Sequence, residues 1–291
     1  MTTMDKTSIL IGVACIIGHS ALPSSTPELV GIAPSNSFVQ LEWTNGFAPF
    51  QVQARTSLVA GAWANLGSPT FSRSATDNAG SEDTVLFRVL GSTAAADSAQ
   101  YKLTFDSTWS ASTHPTNFPS PNEHYSPLIG GTHNAGVSFW APGGQATPGI
   151  KTMAETGNPN PLAAEVNSAI TAGTAEFVLS GGAMGTSPAS INMSFTITQS
   201  HPLATVVTMI APSPDWFVGV HGAKLFVDGD WIDEATFPLL PYDAGTDDGT
   251  TYTSGNAPSS PPQPIFLITG YPLEHNGSVA PFGTFTFTRI N

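Results

Sequence analysis

Apolar and polar residues alternate along much of this chain with a period of two, the pattern of strands that bury one face. Phe38-Val39-Gln40-Leu41-Glu42-Trp43 and Phe50-Gln51-Val52-Gln53 alternate in this way. Turn signals follow at Val59-Ala60-Gly61 and Asp77-Asn78-Ala79-Gly80, and residues 85–90 read as a further strand. A second series opens with Tyr101-Lys102-Leu103-Thr104-Phe105-Asp106 and recurs at 191–197, 204–210, 224–227, 265–269 and 283–288. In the last of these, GTFTFT, Phe285 and Phe287 share one face and threonines the other. Asp228-Gly229 is a strong hairpin-turn dipeptide. One helix is predicted, with Asn160 as cap, Pro161 in the first turn and a stop at Ala172-Gly173. Between 107 and 148 no period holds, and loops of that length are functional or packed as lids. The fold class expected is all-β: two β-sandwiches, the second larger, with long loops and one short helix.

The punctuation divides the chain into five segments. Residues 1–21 read as a secretory signal, with Lys6 as its charge, 8–17 as its apolar core and Gly18-His19-Ser20-Ala21 as its cleavage region. That apolar run is shorter than the roughly 20 residues a spanning helix needs. Residues 22–28 form a Pro/Ser linker, 29–92 the first sandwich, 93–98 a small-residue linker and 99–291 the second sandwich. Cys15, the one cysteine, falls within the signal, so the mature chain has no disulfide. Trp43 and Trp63 are expected in the first core. The pattern LEW…FQVQARTSL…GAWANLG…TDN…LFRVL resembles the fibronectin type III-like modules of bacterial secreted proteins. That resemblance implies a spacer or docking module.

Charge narrows the function classes. Only 10% of residues are charged while Gly 28 and Pro 25 are high, which suits a turn-rich β chain. The net charge of −13 leaves no basic face for nucleic acid, and it disfavours anionic lipid without a bridging cation. Eight acids lie between positions 215 and 248 (Asp215, Asp228, Asp230, Asp233, Glu234, Asp243, Asp247, Asp248) against one base, Lys224. Crowded carboxylates repel, so they are either solvated or neutralised by a cation. The Pro, Gly and Ser around them predict loops, where oxygen ligands can converge on Ca²⁺.

Other chemistries lack their signatures. There is no GxSxG elbow, no thiol nucleophile after the signal and no HExxH spacing. Gly130-Gly131-Thr132 and Gly143-Gly144-Gln145 lack the lysine of a phosphate loop. Asp228 to Glu234 superficially resembles an EF-hand loop without its spacing, and an exposed hairpin is expected. His114, His124 and His133 share the long loop region, where packing is expected and a zinc site is the alternative. Acids are plentiful enough for a glycosidase pair, though nothing in the sequence sets one apart as a raised-pKa acid.

Four segments resemble the spondin domain family, the domain of F-spondin and mindin: TFDSTWSASTHPTNFP, HYSPLIGGTHNAGVSFWAPGGQATPGIKTMAETG, TMIAPSPDWFVGV and LLPYDAGTDDGTTYTSGN. The resemblance implies a β-sandwich related to calcium-dependent membrane-binding domains, a bound Ca²⁺ and extracellular adhesion. Animal members act in matrix attachment and integrin recognition. The family's calcium ligands fall on Asp215 and Asp243, with backbone carbonyls completing the shell. Asp247, four residues past Asp243, is the third candidate ligand, and Asp248 is expected to face solvent. Glu155 belongs to a family motif and is read as structural. A family glutamate falls on Thr196 here, so integrin binding is not carried over. The reading is a secreted, extracellular or cell-surface calcium protein without catalytic chemistry. Its partner would be a glycan, matrix protein or lipid head group. The alternatives are self-assembly into a matrix or filament through exposed β edges, and a carbohydrate-active enzyme.

Overall fold

A computed structural model describes residues 26–35, 38–57, 59, 61–78, 85–92 and 94–291. The signal predicted over 1–21 lies outside the described residues, as does most of the linker 22–28. The chain forms two compact units, one ending at Ala96 and the other spanning Asp97–Ile290.

The first unit contains β1 (Glu28–Ser35), β2 (Phe38–Thr44), β3 (Phe47–Arg55), β4 (Ala64–Asn65), β5 (Ser74–Asn78) and β6 (Leu86–Ser92). They form two three-stranded sheets, β1-β2-β5 and β4-β3-β6. Alternation along β2 buries Val39, Leu41 and Trp43 against Phe50, Val52, Phe87 and Val89 of the opposing sheet. Each fully buried side chain of this size contributes about 1.5–3 kcal/mol. Asn45 and Gly46 have φ of 61° and 67°, and this left-handed pair passes the chain from one sheet to the other in two residues. Trp63 does not join that core. It is half-buried beside β4, with the Arg55 and Arg88 guanidiniums 4.6 and 4.5 Å from its ring centre. The two guanidiniums lie against the ring, a cation–π arrangement, and the Arg88 Nε also donates to Gln53 at 2.8 Å.

The second unit opens with β7 (Ser98–Ser107), β8 (His124–Tyr125), β9 (Ile129–His133), α1 (Pro148–Thr156), α2 (Asn160–Thr171), β10 (Ala175–Ser180) and β11 (Ala189–Thr198). It continues with β12 (Leu203–Ala211), β13 (Trp216–Lys224), β14 (Phe226–Val227), β15 (Asp230–Trp231), β16 (Glu234–Pro238), β17 (Tyr242–Asp243), β18 (Phe266–Leu267) and β19 (Gly283–Arg289). The larger sheet runs β10-β9-β12-β13-β17-β18, with β8 added to β12. The smaller runs β11-β7-β19-β16, and β14-β15 is a separate hairpin. The observed class is the all-β sandwich expected, with two short helices instead of one.

The apolar run of β12 explains the layering. Val207, Met209 and Ala211 pack with Ile150, Met153, Leu162 and Val166 of the helices. The residues between them, Val206, Thr208 and Ile210, are equally buried on the opposite face. That face meets the smaller sheet, where Phe105 and Tyr125 stand edge to face at 4.8 Å. A strand covered on both sides loses its alternation.

Several elements depart from the periodicity reading, among them both helices and β9. Helix α1 has Thr147 as N-cap, its hydroxyl accepting from the Ile150 amide at 3.1 Å, with Pro148 following and Gly157 closing it at φ 70°. In α2, Asn160 is the first helical residue and not the cap, and the Asn158 side chain accepts its amide. Strand β9, IGGTH, is fully buried but poor in β-formers. A Cβ at Gly130 would collide with the Thr205 carbonyl of β12, and one at Gly131 would press on Val166 of α2.

Candidate metal centre

Asp215 stands at the turn between β12 and β13, where Ser213 holds the entry by accepting the Trp216 amide at 3.0 Å. The segment WFVGVHGAK, where no strand was predicted before Lys224, is strand β13. Its first residue, Trp216, pairs in register with Asp243 of β17. The loop after β17 then folds over Asp215. The Asp215 Oδ2 accepts the Thr246 amide at 2.7 Å, the Thr246 hydroxyl at 3.1 Å and the Asp247 amide at 3.1 Å. Its other oxygen, Oδ1, is buried with no hydrogen-bond partner. Asp215 as a whole is 0% exposed.

Asp243 lies beside it. Its Oδ1 accepts the Gly245 amide at 2.7 Å and its Oδ2 accepts the Trp216 indole N–H at 3.2 Å. Gly245 has φ 73°, a conformation that a side chain would oppose, and this turn aims its amide back at Asp243. Asp247 is also buried, but both its oxygens close the loop: Oδ1 takes the Gly249 amide at 2.8 Å and Oδ2 the Ala257 amide at 2.9 Å. Asp248 is exposed. Tyr252 packs on Trp216 with ring centres 5.3 Å apart and accepts the Trp109 indole N–H at 3.1 Å, so an aromatic wall backs the cluster.

The electrostatics of this arrangement are unfavourable for ionised carboxylates. Burial first, and the neighbouring Asp215 charge second, push the Asp243 carboxyl up to about 7. Burial likewise raises Asp215, against the three hydrogen bonds that lower it. Among the described residues, none of the three forms an ion pair with a basic side chain. A buried anion without a counter-charge is costly, and a cation bound here would relieve it. The donors present, carboxylate oxygens with carbonyls in the adjoining turns, suit a hard cation such as Ca²⁺. The residues therefore fit the ion that the motifs imply. Among the described residues no group of three or more acidic or histidine side chains is drawn together in ligating geometry. In a cation site here, Asp215 and Asp243 would be the side chains that contribute.

The other sequence candidates are dispersed. His114 is buried against Phe282, its ring nitrogens bonded to Thr113 and the Ala280 carbonyl, and burial lowers its pKa to about 4. His133 bonds Thr205 and the Asn134 carbonyl, while His124 is exposed. The zinc alternative has no convergence behind it among these residues. Glu155 pairs with Lys151 at 3.6 Å along α1. Thr196 lies on β11, opposite Gln100, and makes no bond to the carboxylate cluster. Sequence reasoning missed Thr246 and Trp216, which orient the two acids. Their adjacency to the acids in DAGT and PDW was the available signal.

This geometry defines a class of protein: a β-sandwich whose loops enclose a buried, unneutralised carboxylate pair. The Spondin_N family model matches residues 99–283, more than half of the chain, and the chain belongs to that family. Spondin-1 of Gallus gallus is 34% identical over 186 residues, covering 62% of this chain and 23% of the relative. Spondin-1 of Xenopus laevis is 32% identical over 209 residues, covering 67% and 26%. Human Spondin-2 is 33% identical over 196 residues, covering 66% and 57%. The chain thus spans about a quarter of the length of the Spondin-1 relatives it matches. The family match begins after the first unit.

Proposed function

We propose that this chain is a secreted calcium-binding protein of extracellular adhesion or recognition, with no catalytic chemistry. Ca²⁺ held between Asp215 and Asp243 would cross-link the β12–β13 turn to the loop after β17. It would thereby order the surface that meets a glycan, matrix protein or lipid head group. The observation that carries this reading is the Asp215 Oδ1 atom: buried, unpartnered and beside a second buried carboxylate. An unpaired acceptor in such a site is expensive unless a cation takes it. Membership of the spondin family supports the extracellular setting, and the acid-bearing motifs fall within the matched residues. Among the described residues no helix is long and apolar enough to cross a membrane.

The test is thermal unfolding in EDTA and in millimolar Ca²⁺. A site filled to a hundred times its Kd adds about 2.7 kcal/mol of stability. That increment is expected in the wild-type chain and absent in Asp243→Asn and Asp215→Ala. Equal melting in both buffers, with no metal in the purified protein, would overturn the reading. Release of reducing ends from a polysaccharide panel, abolished by Asp243→Asn, would instead establish the enzyme alternative, because Asp243 is the acid whose raised pKa suits one.

A further inference from the structure

The first unit separates its charges between its two sheets. Residues 97–291 hold 15 acids against four Lys and Arg, whereas residues 1–96 hold six against four, so the negative charge lies mainly in the second unit. Within the first, Glu28, Glu42 and Asp77 sit on β1, β2 and β5, which form one sheet. The strands of the other, β4-β3-β6, carry Arg55 and Arg88 and no acid.

Alternation along β3 turns Ala48, Phe50 and Val52 inward, so Gln53 and Arg55 stand on the outer face. Register places Asn65, Gln53 and Arg88 in one row across that face, and Trp63 lies against both guanidiniums. A chain of hydrogen bonds orients the row. Arginine can only donate, so the Arg88 Nε–H requires the Gln53 oxygen on its side, at 2.8 Å. The Gln53 amide nitrogen then points the other way and donates to the Asn65 oxygen at 2.7 Å. The Asn65 NH₂ and the Arg88 Nη groups are left outside these bonds. Both side-chain oxygens of the row are engaged, and what it offers outward are donors.

We propose that this face binds an acidic polysaccharide, whose carboxylate or sulfate groups take the donors of Arg88 and Asn65 beside Trp63. An anion accepts and does not donate, so a row of donors fits it. The Arg88 fork is already held by Gln53 and Trp63, and it meets two oxygens of such a group at little cost in ordering. The sheet face continues past the row to Leu90, 42% exposed, and an open depression of about 310 Å³ lined by Arg55, Ala62 and Ala64 lies next to Trp63. Such a surface suits an extended chain. A protein partner is disfavoured, because protein interfaces are anchored by buried aromatic and apolar side chains. Among the described residues of these three strands, Leu90 is the one large apolar side chain exposed. This inference concerns the first unit and does not depend on calcium at the carboxylate pair.

The test is isothermal titration of the full chain in EDTA with oligogalacturonate, dextran sulfate, neutral dextran and polyglutamate. EDTA keeps calcium from Asp215 and Asp243, so the failure of this site and the failure of that one are read separately. Saturable binding of oligogalacturonate or dextran sulfate is expected, weakening as salt is raised, with none to neutral dextran. The polymer that binds tighter identifies carboxylate or sulfate as the anion. Arg88→Gln removes the charge of the fork and is expected to weaken binding about tenfold or more. Arg88 also packs on Trp63, so a second variant separates binding from folding. Asn65→Asp, at an exposed position, keeps an acceptor for Gln53 and turns a carboxylate toward the ligand, with a similar loss of affinity and an unfolding temperature near that of wild type. No binding of either acidic polymer would overturn the proposal. So would affinity unchanged by either variant, tighter binding of polyglutamate, or equal binding of neutral dextran.

Discussion

Two acidic segments lie within one short stretch of this chain, and the fold treats them oppositely. The hairpin of β14 and β15 and the strand after it carry Asp228, Asp230, Asp233 and Glu234. Asp228 and Glu234 are exposed, and Asp228 occupies a left-handed turn position with φ 52°. The turns flanking β13 and β17 carry Asp215, Asp243 and Asp247, all buried. Of the first group, Asp228 and Glu234 stay in contact with water. Those of the second have exchanged water for backbone amides and for one another. A count of acidic residues does not distinguish the two groups, because the energetics depend on desolvation. Where the anions are dry, a cation would relieve the cost of their burial.

The change that breaks the comparison most sharply is Asp215→Ala. It strips the acceptor from two backbone amides and one hydroxyl in a buried loop. At about 1–3 kcal/mol for each buried donor left unpaired, a loss of about 3–5 kcal/mol is expected in EDTA, and more in calcium. Chemical denaturation in the two buffers measures it, and a variant as stable as wild type would dissolve the distinction between the two segments.

The next effect is pH dependence at Asp243. Its carboxyl stands near 7 in the folded chain against 3.8 as a free side chain. A folded pKa raised in this way contributes stability that is full below pH 3.8 and is lost as pH rises through 7. His114, lowered to about 4, acts in the opposite sense, losing its contribution as pH falls. The difference between wild type and Asp243→Asn cancels the histidine and isolates the acid. In EDTA, that difference is expected to shift in favour of the variant by on the order of 4 kcal/mol between pH 4 and 8. A parallel pair of stability curves would contradict it.

Asp247→Ala should sharpen the assignment within the buried group. It removes the acceptors of the Gly249 and Ala257 amides, so a loss of about 1–3 kcal/mol is expected. The calcium increment should survive, since this side chain closes the loop while the proposed ion would be held by Asp215 and Asp243. Isothermal titration that finds calcium binding abolished would return Asp247 to the ligand set. The smallest effects belong to the hairpin. Asp228→Asn and Glu234→Gln are expected within about 0.5 kcal/mol of wild type, with the calcium shift unchanged.

Much of this architecture follows from local pattern. Alternation in β2, β7, β11 and β19 marks strands with one covered face, and the spacing of Val39, Leu41 and Trp43 already implies their shared core. The positions of Asp215 and Asp243 were legible from the SPDW and DAGT motifs. Helix α1 was not read from the sequence, although Thr147-Pro148 at its start and Gly157 at its end are ordinary capping signals. Strand β9 was not legible, because its glycines answer to Thr205 and Val166, which lie far along the chain. Strand β13 was hidden by Gly219 and Gly222 within it and by the Pro-Ser-Pro turn before it, and Trp63 by arginines drawn in from β3 and β6. Periodicity and turn chemistry act between neighbours, so they could be read from the order of residues. Burial depends on what packs against a side chain from a distance. Only the tertiary structure decided which carboxylates are dry and which Asp215 oxygen lacks a partner.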